Sequence, residues 1–362
     1  MRPLTPRSLP LTSALSPWGE GTERLLFFLL LVLIPLSGCG SDNTGNTIVV
    51  YSPHGKHLEG DIKQRFEATH AGYKVHFLDM SGGDILIRVQ GEKSSPKADL
   101  WWGGSPMDFN RAAREGLLET CVPEWAHNLP SDARHPDGAW VATFRTPEVI
   151  MYNSKKLPAG DVPKTWDDLL LPKFKGHIVI RDVRASATMK TIFGALIVRE
   201  QRRTGNLEDG FKFLAMLDAS TGSYAANPEV LTRLLESDTP YSLTLWNLAD
   251  ALLLKSHGHP FEYVIPQGTP VPVEPIAIIK NGANVKGARL LYDFINDPEQ
   301  LLLMAKERHR MPARTDLPRA KLPEWMQNLQ LEAMPLDWDM LSKNIDEWMA
   351  RWDSQIKGQS RG

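Results

Sequence analysis

Two cysteines in 362 residues leave no room for a disulfide framework or a cysteine-built zinc site. A charge of one sign is also missing: 41 Lys plus Arg stand against 43 Asp plus Glu, so no basic excess points to nucleic acid, and no zinc-finger or RNA-binding spacing occurs. The common enzyme signatures are absent as well. There is no G-x-S-x-G elbow, P-loop, dinucleotide G-x-G-x-x-G, H-E-x-x-H or C-x-x-C. The ten histidines are scattered, and the nearest pair, His257 and His259, sits in a turn-like Ser-His-Gly-His-Pro. No internal repeat or long low-complexity tract appears. The one long apolar run, residues 25–36, is too short to span a bilayer core of roughly 30 Å comfortably.

That run follows Arg24 and leads into Leu36-Ser37-Gly38-Cys39, which looks like a bacterial lipobox behind a signal-peptide core. The expectation is a signal peptide over 1–39 with Cys39 lipidated, a polar linker over 40–46, and a mature protein in the periplasm or on the cell surface, held to a bacterial membrane by acyl chains. The residues before Arg24 are long and Pro/Ser-rich for a signal peptide, which suits a translation start further in. Cys121 is then left without a disulfide partner.

What is present is the composition of a folded chain, 42% hydrophobic and 23% charged, and it is long enough for two domains. From Thr47 to Thr120 the pattern reads βαβαβα, with strands near 47–51, 74–78 and 98–102 and helices near 57–69, 83–91 and 106–116. Extended stretches at 140–145 and 148–153 flank Pro147, and a second α/β unit follows. It has strands near 177–181, 241–245 and 262–265, helices near 187–200, 207–217, 228–235 and 247–256, and a turn at Thr221-Gly222-Ser223-Tyr224. A strand over 273–279, a helix over 285–296 and a helical tail beyond Pro298 complete it. Strands alternating with helices imply mainly parallel sheets. The extended passages near 140–153 and 264–275 bracket the middle unit. The expected organisation is therefore lobe 1 from 47–145 and 270–362, C-terminal helices included, and lobe 2 from 146–269, hinged through two crossing segments.

Candidate binding residues cluster where strands run into helices. Ser52-Pro53-His54-Gly55, Ser81-Gly82-Gly83-Asp84 and Gly103-Gly104-Ser105-Pro106 each follow an apolar strand and open an amphipathic helix. Such turns lie at the carboxyl ends of strands in open α/β sheets, where free N–H groups receive small anions. Ordinary helix capping explains each turn singly; their recurrence is what points to a shared ligand. In the middle unit Arg181 and Arg184 precede Ser186 and Thr188 at another helix start, and Trp246-Asn247 begin one more. Eleven tryptophans offer stacking surfaces or core.

Several stretches resemble a known family: Ala98-Asp99-Leu100-Trp101-Trp102-Gly103-Gly104 with Gly116-Leu117-Leu118, Gly268-Thr269-Pro270-Val271, Glu274-Pro275-Ile276-Ala277 and Pro312-Ala313-Arg314. From Thr47 to about Pro318 the chain resembles an extracytoplasmic solute-binding protein of an ABC importer, in the clade of ferric-iron-, thiamine-, phosphonate- and sugar-phosphate-binding members. The resemblance implies a two-lobed type II periplasmic-binding-protein fold, each lobe a mainly parallel sheet flanked by helices. It also implies a monomer without cofactor or catalysis, a solute between the lobes, and a permease in the cytoplasmic membrane as partner. Ferric-binding relatives use two adjacent tyrosines with a His and a Glu. Here Tyr224 is followed by Ala225, His54 matches the histidine, and Gly104 stands at the carboxylate position. A small anionic solute, phosphorylated ones included, fits the inventory better. Its expected contacts are Ser52, His54, Ser81, Gly82, Gly83, Gly104 and Ser105 from lobe 1, Ser186, Thr188, Tyr224, Trp246 and Asn247 from lobe 2, and Glu274 near the crossover. The alternatives are ferric iron, with His54 and Tyr224 as ligands, or thiamine on the same fold, and an exported phosphate-ester hydrolase.

Overall fold

Two sheets organise the protein, and the chain passes from the first to the second and back. The computed structural model describes residues 44–359, so the expected signal peptide and Cys39 lie outside the described residues. The part of the expected linker that is described, Thr44–Asn46, is a short 3-10 turn leading into the first strand.

The first lobe opens with β1 (Thr47–Ser52), α1 (Lys56–Thr69), β2 (Lys74–Asp79), α2 (Gly82–Gly91), β3 (Leu100–Trp102), α3 (Pro106–Arg114) and β4 (Val141–Arg145). The chain then crosses to β5 (Glu148–Asn153), β6 (Ile178–Arg181), α4 (Ala187–Thr204), α5 (Leu207–Ser220), β7 (Thr221–Ala225), α6 (Pro228–Glu236), β8 (Leu243–Asn247), α7 (Leu248–Ser256) and β9 (Phe261–Val264). It returns as β10 (Val273–Ile278), α8 (Val285–Ile295), α9 (Pro298–Arg308), β11 (Met311–Pro312), α10 (Glu324–Gln327) and α11 (Trp338–Gln355). The sheet orders are β11-β4-β10-β3-β1-β2 and β7-β6-β8-β5-β9. Strand β1 runs parallel to β2 and β3, whereas the returning β10 pairs antiparallel with β3 and β4. In the second sheet β6 is parallel to β7 and β8, and β5 is antiparallel to β8 and β9. Both sheets are therefore mixed, each centred on parallel pairs as the strand–helix alternation predicts.

The crossing segments are bonded to each other: the Thr146 N–H donates to the Pro272 carbonyl at 2.9 Å and the Glu148 N–H to the Pro270 carbonyl at 2.9 Å. On either side of this seam lie separate cores. One gathers Val50, Trp101, Trp102, Phe66, Phe109 and Ile276 of the first lobe. The second sheet has one on each face, because strand side chains alternate: Ile150 and Tyr152 enter one cluster, Val149 and Met151 the other.

Two expectations about this architecture need correcting. The sequence places the C-terminal helix in lobe 1, yet the apolar face of α11, with Leu341, Ile345, Trp348, Met349 and Trp352, is buried in the same cluster as Ile178, Phe193 and Leu214 of lobe 2. Gly194 on α4 permits this, since a Cβ there would lie 2.9 Å from Ile345 Cδ1 and 3.1 Å from Leu341 Cδ2. The Thr221–Tyr224 turn is an edge strand, β7, parallel to β6. Gly222 reads as a turn former, but its role is close approach: a Cβ would meet the Gly176 carbonyl oxygen at 2.5 Å.

Candidate functional site

Helix starts wall the gap between the two sheets. On the first-lobe side Ser81 caps α2 and Ser105 caps α3; on the second-lobe side Ser186 caps α4, Asn227 caps α6 and Asn247 caps α7. Each of these side chains accepts a hydrogen bond from its own helix: Ser81 from the Asp84 N–H, Ser105 from Met107, Ser186 from Met189, Asn227 from Val230 and Asn247 from Asp250. The capping oxygens are thus engaged, and what the helices offer a solute is the next backbone N–H groups, at Gly82, Gly83, Ala187 and Thr188, with the positive ends of the helix dipoles and the O–H donors of Ser105 and Ser186. Pro106 and Pro228 hold the first positions of α3 and α6 and bring no N–H.

The space they enclose has two contiguous chambers that share Pro53, Asp79, Ser105, Ala187 and Thr188. The chamber beside α11, about 660 Å³, is lined by Ser81, Gly82 and Gly83 from one lobe and by Arg181, Arg184, Ser186 and Lys190 from the other. The chamber beside the hinge, about 540 Å³, is lined by His54, Thr146, Glu148, Asn247, Asp250, Glu274 and Arg310. Arg181, Arg184, Lys190 and the helix N–H groups therefore gather in the α11-side chamber, where Asp79, Asp84, Asp108 and Asp346 also line the wall, while the hinge chamber sets Glu148, Glu229, Asp250 and Glu274 around Arg310.

At the hinge end burial displaces the titration of two groups, His54 and Glu148. His54 is packed edge-on against Trp102, with ring centroids 4.4 Å apart, and against Phe144 at 5.8 Å. Burial, and then Arg310, hold its imidazole well below the usual histidine range, so it is neutral at pH 7. Its Nδ1 lies 3.5 Å from Glu274 Oε2. Its Nε2 points at the bare Cα of Gly103, where a Cβ would lie 2.3 Å away. Gly103 and Gly104, at φ +90° and +115°, adopt the backbone region that favours glycine. Glu148 is buried, and burial followed by the charges of Asp250 and Glu274 pushes its carboxyl well above the usual range.

At the other end Asp108, in the first turn of α3, is pushed up to about 6, chiefly by burial and further by Asp346, with Lys190 of the opposite lobe and Arg111 pulling the other way. A carboxyl with a raised folded pKa destabilises the fold as pH rises from the unfolded value near 4 to about 6. Asp108→Asn is expected to leave the unfolding free energy unchanged below pH 4 and to raise it above pH 6. With partial exposure discounted, the gain is about 1–2 kcal/mol, read from urea melts at pH 4 and 7.5.

Of the residues expected at the site, His54, Gly104, Ser105, Thr188, Asn247 and Glu274 line the hinge chamber, and Ser81, Gly82, Gly83 and Ser186 line the other. Three go elsewhere. Ser52 is fully buried at the end of β1, where its Oγ accepts from the His54 N–H. Trp246 is buried in the outer core of lobe 2. Tyr224 donates its hydroxyl to Asp218 at 2.7 Å and packs edge-on against Trp352, beside α5 and α11 rather than in the cleft. The chambers also recruit Thr146, Glu148, Asp250, Lys190 and Arg310, which are not among the expected contacts. Lys190 was legible as a cation one turn into α4; Arg310 has no local signal, since only the return of the chain brings it there. Among the described residues no group of three or more His, Cys, Asp or Glu is placed to hold a metal ion, and no helix is long and apolar enough to cross a membrane.

Known proteins resemble this chain in sequence and share its fold. The chain is 28% identical over 346 residues to "Probable ABC transporter periplasmic-binding protein y4fP" of Sinorhizobium fredii, covering 94% of each. It is 25% identical over 311 residues to iron uptake protein A1 of Synechocystis, covering 79% of this chain and 83% of that one. Its fold matches the periplasmic binding protein AfuA of Actinobacillus pleuropneumoniae, solved with exogenous fructose 6-phosphate bound, at a TM-score of 0.72 and 22% identity over 86% of this chain and 99% of that one. Such neighbours are two-lobed type II periplasmic binding proteins, the fold the sequence implies. Residues 95–344 match the family described as bacterial extracellular solute-binding protein, and the chain belongs to that family, whose members related to it are periplasmic binding components of ABC transporters.

Proposed function

We propose that this protein captures a small phosphorylated anion between its lobes and delivers it to an ABC permease, with the phosphoryl group in the α11-side chamber and the hydroxylated end of the solute reaching the hinge chamber. The observation that carries this reading is the convergence of helix starts from both sheets on one cleft, with Arg181, Arg184 and Lys190 beside them. Dispersed phosphate charge is met there by N–H groups and by guanidinium, which binds it bidentately. Thr188 serves both chambers, and Asp250 and Glu274 would accept hydroxyl protons at the far end. Closure follows because the shut form alone presents both walls to one solute, and no covalent step is needed. Lipidation at Cys39 would keep the monomeric protein near its permease.

Titration with fructose 6-phosphate and with alkyl phosphonates tests the reading. A solute at a hundredfold excess over its Kd stabilises the protein by about 2.7 kcal/mol, a clear rise in melting temperature. Lys190→Gln is expected to weaken binding about tenfold, the loss of one charge-assisted contact. Organic phosphates that leave the melting temperature unmoved, while ferric citrate raises it, would reject the proposal.

Iron is the second reading, favoured by the likeness to an iron uptake protein. Its donor set is poor here, because Tyr224 is bonded to Asp218 and His54 Nε2 is sealed against Gly103. Adding Fe(III) should accordingly produce no tyrosinate charge-transfer band that Tyr224→Phe removes.

A further inference from the structure

We infer that Arg310 is a built-in latch between the lobes, pairing with Glu274 on its own lobe and Asp250 on the other so that closure is favoured before any solute binds. Arg310 immediately precedes β11 of the first sheet, and its side chain is 14% exposed. One guanidinium nitrogen lies 3.4 Å from Glu274 Oε1, on β10 of the same lobe, and another 3.8 Å from Asp250 Oδ1, on α7 of the second lobe. The Nε is buried and has no hydrogen-bond partner among the described residues. Glu274 is in turn fixed by the hydroxyl of Thr146, which donates to it from the first crossing segment. The guanidinium is therefore anchored at the hinge on one side and reaches across the cleft on the other.

Among the described residues Arg310 is the one Arg or Lys lining the hinge chamber, which also holds Glu148, Glu229, Asp250 and Glu274. Opening the lobes must draw it away from Asp250 and leave both charges to be rehydrated, while the Glu274 contact, internal to lobe 1, survives. A pair that exists only in the shut form shifts the ligand-free equilibrium toward that form, and a solute then binds a conformation already populated. The inference goes beyond the proposed solute: it concerns the empty protein, so its test stands or falls whatever the cleft takes.

Small-angle X-ray scattering of the ligand-free protein reads the lobe equilibrium directly. Arg310→Gln and Asp250→Asn are each expected to enlarge the radius of gyration, with a roughly fivefold fall in the closed-to-open ratio. The double variant should open no further than either single one, and Arg310→Lys, which keeps the charge, should recover most of the closed population. High salt should open the wild type and leave the variants unmoved. Ligand-free scattering of the folded single variants that superposes on the wild type overturns the inference, as do effects that simply add. Should Arg310→Gln not fold, Asp250→Asn at the partly exposed end of the pair decides the matter alone.

Discussion

Trp352→Ala is expected to lower the unfolding free energy by about 3–5 kcal/mol, the range for deleting a large aromatic from a packed core. Trp352 has no exposed surface, stands edge-on to Phe193 of α4 with centroids 5.1 Å apart, and carries the ring of Tyr224 at 5.5 Å. The helix around it has nothing to relax into, because Leu341 and Ile345 are already pressed against Gly194. The loss should fall on lobe 2, where α11 is buried. Hydrogen exchange would show α4, α5 and β6 losing protection while β1 and β2 keep theirs. Were α11 an appendage of lobe 1, as its place in the sequence suggests, the pattern would be reversed. α11 also meets α3, through Met107 buried in the same cluster, the Ser342 hydroxyl donating to the Met107 carbonyl at 2.7 Å and an exposed bond from Arg114 to Asp339 at 2.8 Å.

Gly103→Ala is expected to be nearly as damaging, at about 3 kcal/mol or more, for two reasons that add. The residue sits at φ +90°, where a side chain strains the backbone, and the added Cβ would lie 2.3, 2.7 and 2.9 Å from three atoms of the His54 ring. That ring is packed edge-on against Trp102 and Phe144, which resist its displacement. The check is a paired measurement by urea melting: in a His54→Ala background the same Gly103→Ala change should cost only its backbone part, about 1–2 kcal/mol. Equal penalties in both backgrounds would mean that the ring and the glycine do not meet. Because Gly103 leads directly into the cap of α3, solute affinity should fall together with stability.

These two sites show which parts of the molecule were legible in the chain. Caps and glycine turns are local chemistry, so Ser81, Ser105, Ser186 and Asn247 could be placed at helix starts from a few neighbouring residues, and strand–helix alternation brought those starts to one side of each sheet. Tyr224 and Trp246 were not legible in this way. Each lies at or next to a strand end near the cleft, but strand alternation alone does not say which face meets α11 and which meets solvent, and both rings turned into cores. Ser52 was misjudged for a similar reason: it ends a strand buried along most of its length. Arg310, Thr146 and Glu148 depend on the pairing of two crossing segments more than a hundred residues apart, a long-range fact no window of sequence contains. The C-terminal helix belongs with them, since its apolar stripe demanded burial without naming a partner.

The last helix has a temporal consequence. A chain emerging from the ribosome, or threading outward through a translocation pore, presents β6, α4 and α5 well before residues 338–356 arrive, so the hollow that Trp348 and Trp352 occupy stays unfilled until they do. Domains that lack a core element at this stage remain loosely collapsed. The second lobe therefore completes its core only when α11 docks, more than a hundred residues after β6 has left the pore.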